Sequence, residues 1–208
     1  MEIINPEIDH YLKGLLPNRD SVLQQMETYG NEKNFPIIGP LVGRLLLQLA
    51  SLTEAKKIFE LGSGFGYSAL WFSKGVQQDA KIICTDGSPE NAAMAQGFFK
   101  QAGIERLVDF RVGDALSLLD NELGPFDIIL NDIDKHEYPQ AFRKAVPRLR
   151  KGGLLITDNV LWSGKVVGND RDPETKGILE FNQLAYQSQD VHTVIIPLRH
   201  GVAVSMKL

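Results

Sequence analysis

Apolar residues gather in short runs at Lys57–Leu61, Lys81–Thr85, Val108–Val112, Phe126–Leu130 and Leu154–Thr157, and the stretches between them carry apolar residues at helical spacing. Strand-like runs alternating with helix-like segments predict a parallel sheet covered on both faces, and parallel strands need crossovers, here helices. Ser88, Pro89 and Glu90 open one such helix as N-cap, first helical residue and first-turn acid, and Gly103 closes it. A second spans Tyr138–Leu149 with Phe142, Ala145, Val146 and Leu149 inward and stops at Gly152-Gly153; a third starts at Pro173 with Ile178, Phe181 and Leu184 on one face. Val194–Pro197 and Val202–Met206 flank Leu198-Arg199-His200-Gly201 and read as an antiparallel hairpin at the sheet's end. Residues 1–52 read as helical, interrupted at Pro17 and Gly30–Pro36. Pro40 opens a helix apolar enough to pack on the sheet or on a second subunit. The pattern predicts an α/β fold in one domain, 1–208, without repeats or a linker.

Ile58–Leu70, IFELGSGFGYSAL, is the stretch most suited to a ligand. A strand runs into Gly62, Gly64 and Gly66 and then into a helix start, so the backbone can turn at positive φ, a ligand can lie against it, and unpaired N–H groups face it. The spacing differs from the G-x-G-x-x-G that closes round a pyrophosphate. No Lys or Arg occurs from Phe59 to Ser73, and Glu60 stands just ahead of Gly62. A diphosphate would meet Glu60 unopposed, whereas a ligand with a sulfonium and an ammonium, such as S-adenosylmethionine, is attracted. The loop alone also suits an ordinary glycine-rich turn.

Composition narrows the partners. With 208 residues, 43% hydrophobic and 23% charged, the chain is an ordinary globular one, and its net charge of −4 without a Lys/Arg run disfavours nucleic acid. The single Cys84 leaves no internal disulfide and no cysteine-based zinc site, and within KIICTD it reads as a buried thiol. The sequence has neither a signal-peptide pattern nor an apolar run long enough for a bilayer, so the expectation is a cytoplasmic protein with a small-molecule partner and no membrane.

Ligands of doubly wound sheets sit beyond the carboxyl ends of the strands, and there this chain places acids. Asp86, before Gly87, lies twenty residues past Gly66, where an acid can accept both ribose hydroxyls; it also suits a simple turn. Asp114 suits a helix N-cap, a purine contact, or both. NDIDKHEY, from Asn131, and TDNVLWSG, from Thr157, bring Asp132, Asp158 and Asn159 to adjacent strand ends. Three oxygen donors without His or Cys suit a hard cation, Mg²⁺ first and then Mn²⁺ or Ca²⁺. The alternative is local: Asp132 and Asp134 pairing with Lys135, and Asp158-Asn159 making a turn. Lys135, three residues beyond Asp132, suits a general base beside such a cation and, taken alone, a solvated surface lysine; Trp162 either walls an aromatic pocket or joins the core. His10, His136, His192 and His200 show no ligand spacing.

ELGSGFGYSALW, CTDGSPE, GDAL, FDIILNDIDKHEY and GGLLITDNVLWSGKV, in this order, resemble the cation-dependent O-methyltransferases related to catechol and caffeoyl-coenzyme A O-methyltransferases, in particular small bacterial members. The resemblance runs from about Pro36 to the C-terminus. It implies a Rossmann-like class I methyltransferase with a seven-stranded, mostly parallel sheet, helices on both faces and an antiparallel last strand, and a homodimer whose residues 1–52 form a lid and dimerisation segment. It implies cofactor contacts at Ile38, Glu60, Gly62, Gly64, Ser68, Asp86, Gly87, Asp114, Ala115 and Asp132, metal ligands at Asp132, Asp158 and Asn159, and Lys135, beside Asp132, as the base. The implied reaction is methyl transfer to a hydroxyl of a small aromatic diol. The chain departs from the family pattern at Leu41-Val42, where relatives usually carry a polar pair, and at Arg199-His200, where an acidic residue is more usual before the glycine.

Two other readings stay open on sequence alone. A nucleotide-binding dehydrogenase fits the strand pattern and Asp86 but not the glycine spacing or Glu60. A non-catalytic module that keeps the cofactor pocket is the other.

Overall fold

The computed structural model describes residues 3–169 and 171–208. Helices α1 (Pro6–Gly14), α2 (Ser21–Lys33) and α3 (Gly39–Leu52) precede a βα alternation: β1 (Lys57–Leu61), α4 (Tyr67–Ser73), β2 (Lys81–Asp86), α5 (Pro89–Ala102), β3 (Val108–Val112), α6 (Ala115–Asp120) and β4 (Phe126–Asn131). Then come α7 (Tyr138–Ala145), β5 (Leu149–Thr157), α8 (Pro173–Gln187), β6 (Val191–Ile196) and β7 (Val202–Lys207). The helical expectation for residues 1 and 2 lies outside the described residues.

One seven-stranded sheet has the order β3-β2-β1-β4-β5-β7-β6. The five strands from β3 to β5 run parallel, and β7 enters antiparallel between β5 and β6. The strand order reverses between β1 and β4, and their carboxyl ends are where a cleft opens.

Alternation along β1 sorts the two faces. Ile58 joins Ile82, Cys84, Leu130 and Ile156 under α2–α5, while Phe59 and Leu61 join Ile83, Ile129 and Leu155 under α6–α8. Both faces are therefore covered, each fully buried Phe or Ile contributing about 1.5–3 kcal/mol. Cys84 is fully buried, and burial pushes its thiol up, so it sits as an inert part of the first face.

Several boundaries differ from those the sequence predicts: α2 runs through the break expected at Gly30 as far as Lys33, β2, β4 and β7 extend one residue further, and three larger differences lie in the C-terminal half. The helix from Tyr138 ends at Ala145 and continues as a 3-10 turn over Val146–Arg148, because Pro147 cannot extend an α-helix. Leu149 instead opens β5, and the ladder to β4 shifts register between Phe126 and Ile128. Gly152-Gly153 thus lies inside a kinked strand: a Cβ on Gly153 would stand 2.9 Å from the Arg150 carbonyl and 3.0 Å from that of Phe126. The hairpin's first strand begins at Val191 rather than Val194, its inward Val191 alternating with an exposed His192 at the sheet edge.

Candidate active site

The glycine loop joins β1 to α4, with Gly62, Gly64 and Gly66 all at positive φ. Ser63 N–H donates to the Thr85 carbonyl at 2.8 Å, and Gly64 N–H donates to Asp86 Oδ2 at 3.0 Å, so the tip of β2 holds the loop open. The other Asp86 oxygen accepts from Ser88 N–H at 2.8 Å and from the Asn91 amide at 3.0 Å. Asp86 is fixed on three sides before any ligand arrives.

A cleft of about 770 Å³ lies over these strand tips. Gly62, Gly64 and Ser68 of the glycine loop and α4 line it, with Asp86 and Gly87 from the end of β2 and Asp114 and Ala115 from the start of α6. Asp114 also caps α6, accepting from Ser117 N–H at 2.8 Å, so the capping role and the cleft position coexist. Ile38, the residue before α3, closes the cleft from the N-terminal segment.

Glu60 is the exception among the expected cofactor contacts: it is fully buried and does not line the cleft. Strand alternation puts its side chain on the face of Ile58, under α4, where Cys84 Sγ lies 3.4 Å from Oε2. Burial pushes its carboxyl up to about 7, with the Ser63 and Ser68 hydroxyls drawing it back in part. Glu60 therefore braces the loop from behind.

The acids after β4 and β5 converge. Lys135 Nζ lies 3.0 Å from Asp132 Oδ1 and 3.0 Å from the Ile133 carbonyl, and the Asn159 amide nitrogen lies 3.4 Å from the same Asp132 oxygen. Asp132, Lys135 and Asn159 all line the cleft; Asp158 lies just beneath, 1% exposed. Neither carboxylate oxygen of Asp158 has a hydrogen-bond partner among the described residues. Burial, and then the charge of Asp132, push the Asp158 carboxyl well up, a state that a nearby positive charge relieves. Asn159 adopts φ 63°, so the Asp158-Asn159 pair also makes the turn its composition suggests. Among the described residues no group of three or more His, Cys, Asp or Glu side chains gathers as a metal cluster; this site has two carboxylates and one amide.

Glu174, Phe35 and Ile37 carry no usable signal in the sequence, whereas Trp162 and the Arg199-His200 pair stand out there without a fixed role in the cleft. Glu174 reaches it from the first turn of α8, held by His136 N–H at 3.0 Å, and only the tertiary fold brings 174 beside 136. Phe35 and Ile37 come from the loop before α3. Arg199 and His200 line both this cleft and an adjoining cavity of about 800 Å³ beside the N-terminal segment. Trp162 lines the cleft while its indole nitrogen is buried, so it is both wall and core.

A Rossmann-like sheet with an antiparallel last strand, its glycine loop open beneath a row of strand-tip acids, places the chain in the class of Rossmann-like methyltransferases. The family model described as O-methyltransferase matches residues 18–208, and the chain belongs to that family. It is 33% identical over 198 residues to a catechol O-methyltransferase of Niastella koreensis, covering 92% of this chain and 90% of that one. A caffeoyl-CoA O-methyltransferase of Medicago sativa is 29% identical over 179 residues, 80% of this chain and 72% of the relative. Among solved structures, the O-methyltransferase of Bacillus cereus in complex with SAH superposes with a TM-score of 0.88 at 27% identity, covering 97% of both chains. TomG from Streptomyces achromogenes, in complex with SAM, gives 0.87 at 27% identity over 97% and 96%. Membership of this family sets aside the dehydrogenase reading.

Proposed function

We propose that the protein transfers a methyl group from S-adenosylmethionine to one hydroxyl of a small catechol-like or caffeoyl-like aromatic diol, with a divalent cation, Mg²⁺ first and Mn²⁺ or Ca²⁺ as alternatives. One observation carries this reading: Asp158, buried with neither oxygen hydrogen-bonded among the described residues, stands with Asp132 and Asn159 at the edge of the cleft that the glycine loop opens. That donor set fits a hard cation, and the bare loop, with Asp86 at its rim, fits a cationic adenosyl ligand. When bound, S-adenosylmethionine supplies an activated methyl group, and a cation held by Asp132, Asp158 and Asn159 supplies a positive charge that favours the ionised form of a neighbouring diol.

The chain's own residues do the rest. Asp86, Asp114 and Ala115 line the cleft across the strand tips and would hold the cofactor's adenosyl end there. Ile38 and Trp162 exclude water from two sides, which strengthens the charges inside. Lys135, as the neutral amine and not as the ammonium of the Asp132 ion pair, would take the acceptor's proton at Nζ, which Asp132 Oδ1 and the Ile133 carbonyl hold in the cleft. Holding acceptor and methyl donor in line is where most of the rate arises.

The same reading has a homodimer working in the cytoplasm, with residues 1–52 as lid and dimer contact. The exposed stripe Ile8, Tyr11 and Leu15 along α1 supports it, and no helix among the described residues is long and apolar enough to cross a membrane. The test incubates the protein with S-adenosylmethionine and a panel of catechols and caffeoyl compounds, with and without EDTA, and identifies products by mass. Monomethylated diols that vanish in chelator are expected. Full turnover in chelator removes the cation from the mechanism, and no methylation of any diol leaves a non-catalytic cofactor-binding module.

A further inference from the structure

Two cations touch the proposed cation site without belonging to its ligand set: Lys135, hydrogen-bonded to Asp132, and Arg199, beside Asp158. The Arg199 guanidinium stands 3.6 Å from Asp158 Oδ2, an ion pair too long for a hydrogen bond, and its side chain is 32% exposed against 1% for Asp158. The backbone fixes this placement. Arg199 sits at φ 55° in the turn between β6 and β7, and that turn is stapled to the chain just after Asn159: Leu161 N–H donates to the His200 carbonyl at 2.8 Å and Val160 N–H to that of Gly201 at 3.0 Å. Leu161 also packs where a Cβ on Gly201 would stand, 2.4 Å away, so the two loops move together or not at all.

The Asp158 oxygens have charge to match and no donor that matches it. A loosely held, partly solvated guanidinium offsets part of that charge without occupying the space a metal ion needs. We propose that Arg199 is a resident counter-charge for Asp158 that a divalent cation must outcompete, so that Arg199 sets the cation affinity of the site. The proposal rests on the reading of Asp132, Asp158 and Asn159 as cation ligands. It gives the turn a role separate from acceptor recognition: with Arg199 in place, cation-free protein is stabilised and cation-loaded protein is disfavoured.

The experiment titrates Mn²⁺ by calorimetry into the full chain, without cofactor or acceptor, for the natural protein, Arg199→Met, Arg199→Gln and Arg199→Lys, with circular dichroism confirming that each is folded. Removing one positive charge a few ångströms from the ligands is expected to tighten Mn²⁺ binding by about tenfold in both neutral variants. Arg199→Lys stays near the natural value. In chelator the neutral variants melt lower than the natural protein, and Mn²⁺ restores them. Unchanged or weaker Mn²⁺ binding in both neutral variants, with binding to the natural protein intact, overturns the proposal and leaves the cation reading standing. If neither the natural protein nor any variant binds Mn²⁺, the cation reading itself fails and takes the proposal with it.

Discussion

Gly62 and Asp132 meet backbone to backbone: a Cβ on Gly62 would lie 2.7 Å from the Asp132 carbonyl oxygen and 3.0 Å from its carbonyl carbon. The contact joins the glycine loop to the tip of β4, and Asp132 N–H donates to the Leu61 carbonyl at 2.9 Å beside it. Two halves of the cleft, the loop and the acid, are thereby set at a fixed distance. Gly62→Ala must both adopt φ 80° with a side chain and push against backbone. The expected cost is about 2 kcal/mol or more, a fall in Tm of roughly 4–8 °C, with weakened S-adenosylhomocysteine binding. Gly87→Ala is the control: nothing lies within 4 Å of its Cβ, so its Tm should stay near that of the natural protein. Equal Tm for Gly62→Ala and the natural protein, read by calorimetry, defeats the argument.

Asp86 holds the same loop from the other side. Asp86→Ala removes the acceptor of Gly64 N–H and two further bonds at the start of α5. The loop should loosen and S-adenosylhomocysteine affinity fall by about tenfold or more, equivalent to one lost charge-assisted hydrogen bond. Asp86→Asn keeps one oxygen acceptor and should lose less. An isothermal titration in which Asp86→Ala binds as tightly as the natural protein refutes this.

The sheet was legible because short strand-like runs alternate with helix-like segments: central β1 at Lys57–Leu61 and edge β3 at Val108–Val112 have the expected bounds. What escaped is equally physical. Gly152-Gly153 carries the chemistry of a helix stop, but the fold uses it to let β5 pass close to its own carbonyls, and edge strand β6 alternates polar residues that read as loop. At the site, residues next to strand ends could be located because topology alone carries them to the cleft. Glu60 could not be placed, since whether a strand residue points along the tip or sideways depends on register with the partner strands. Glu174 and Arg199 come from α8 and the last turn, and no local pattern marks them as facing Asp132 and Asp158.

Glu60 makes stability depend on pH. Its folded-state pKa is raised from 4.5 to about 7 by burial, so between these values the folded chain binds a proton that the unfolded chain does not. The native state gains from low pH here: the Glu60 contribution is most favourable below about 4.5 and is lost as pH rises through 7. The full effect is on the order of 3 kcal/mol for a wholly buried group. Glu60→Gln, which stays neutral, should flatten this part of the pH profile and melt higher than the natural protein at pH 8. Parallel profiles for the two proteins from pH 5 to 8, measured by denaturant titration, remove Glu60 as their source.

Lys135 forms an ion pair with Asp132 and is the proposed proton acceptor, and two substitutions separate these roles. Lys135→Ala removes both. Lys135→Arg keeps a cation able to reach Asp132 but presents a guanidinium that does not give up its proton. The pair is only 15% and 24% exposed, but both partners line the open cleft, so water can reach Asp132 once Lys135 is removed and the loss should lower stability without unfolding the chain. Both variants should therefore fold and bind S-adenosylhomocysteine within about twofold of the natural protein, while turnover falls by roughly 10²–10⁴-fold in each, the scale of a lost general base. If Lys135→Arg instead turns over like the natural protein and only Lys135→Ala fails, Lys135 serves to hold Asp132 in place and the proton leaves by another route.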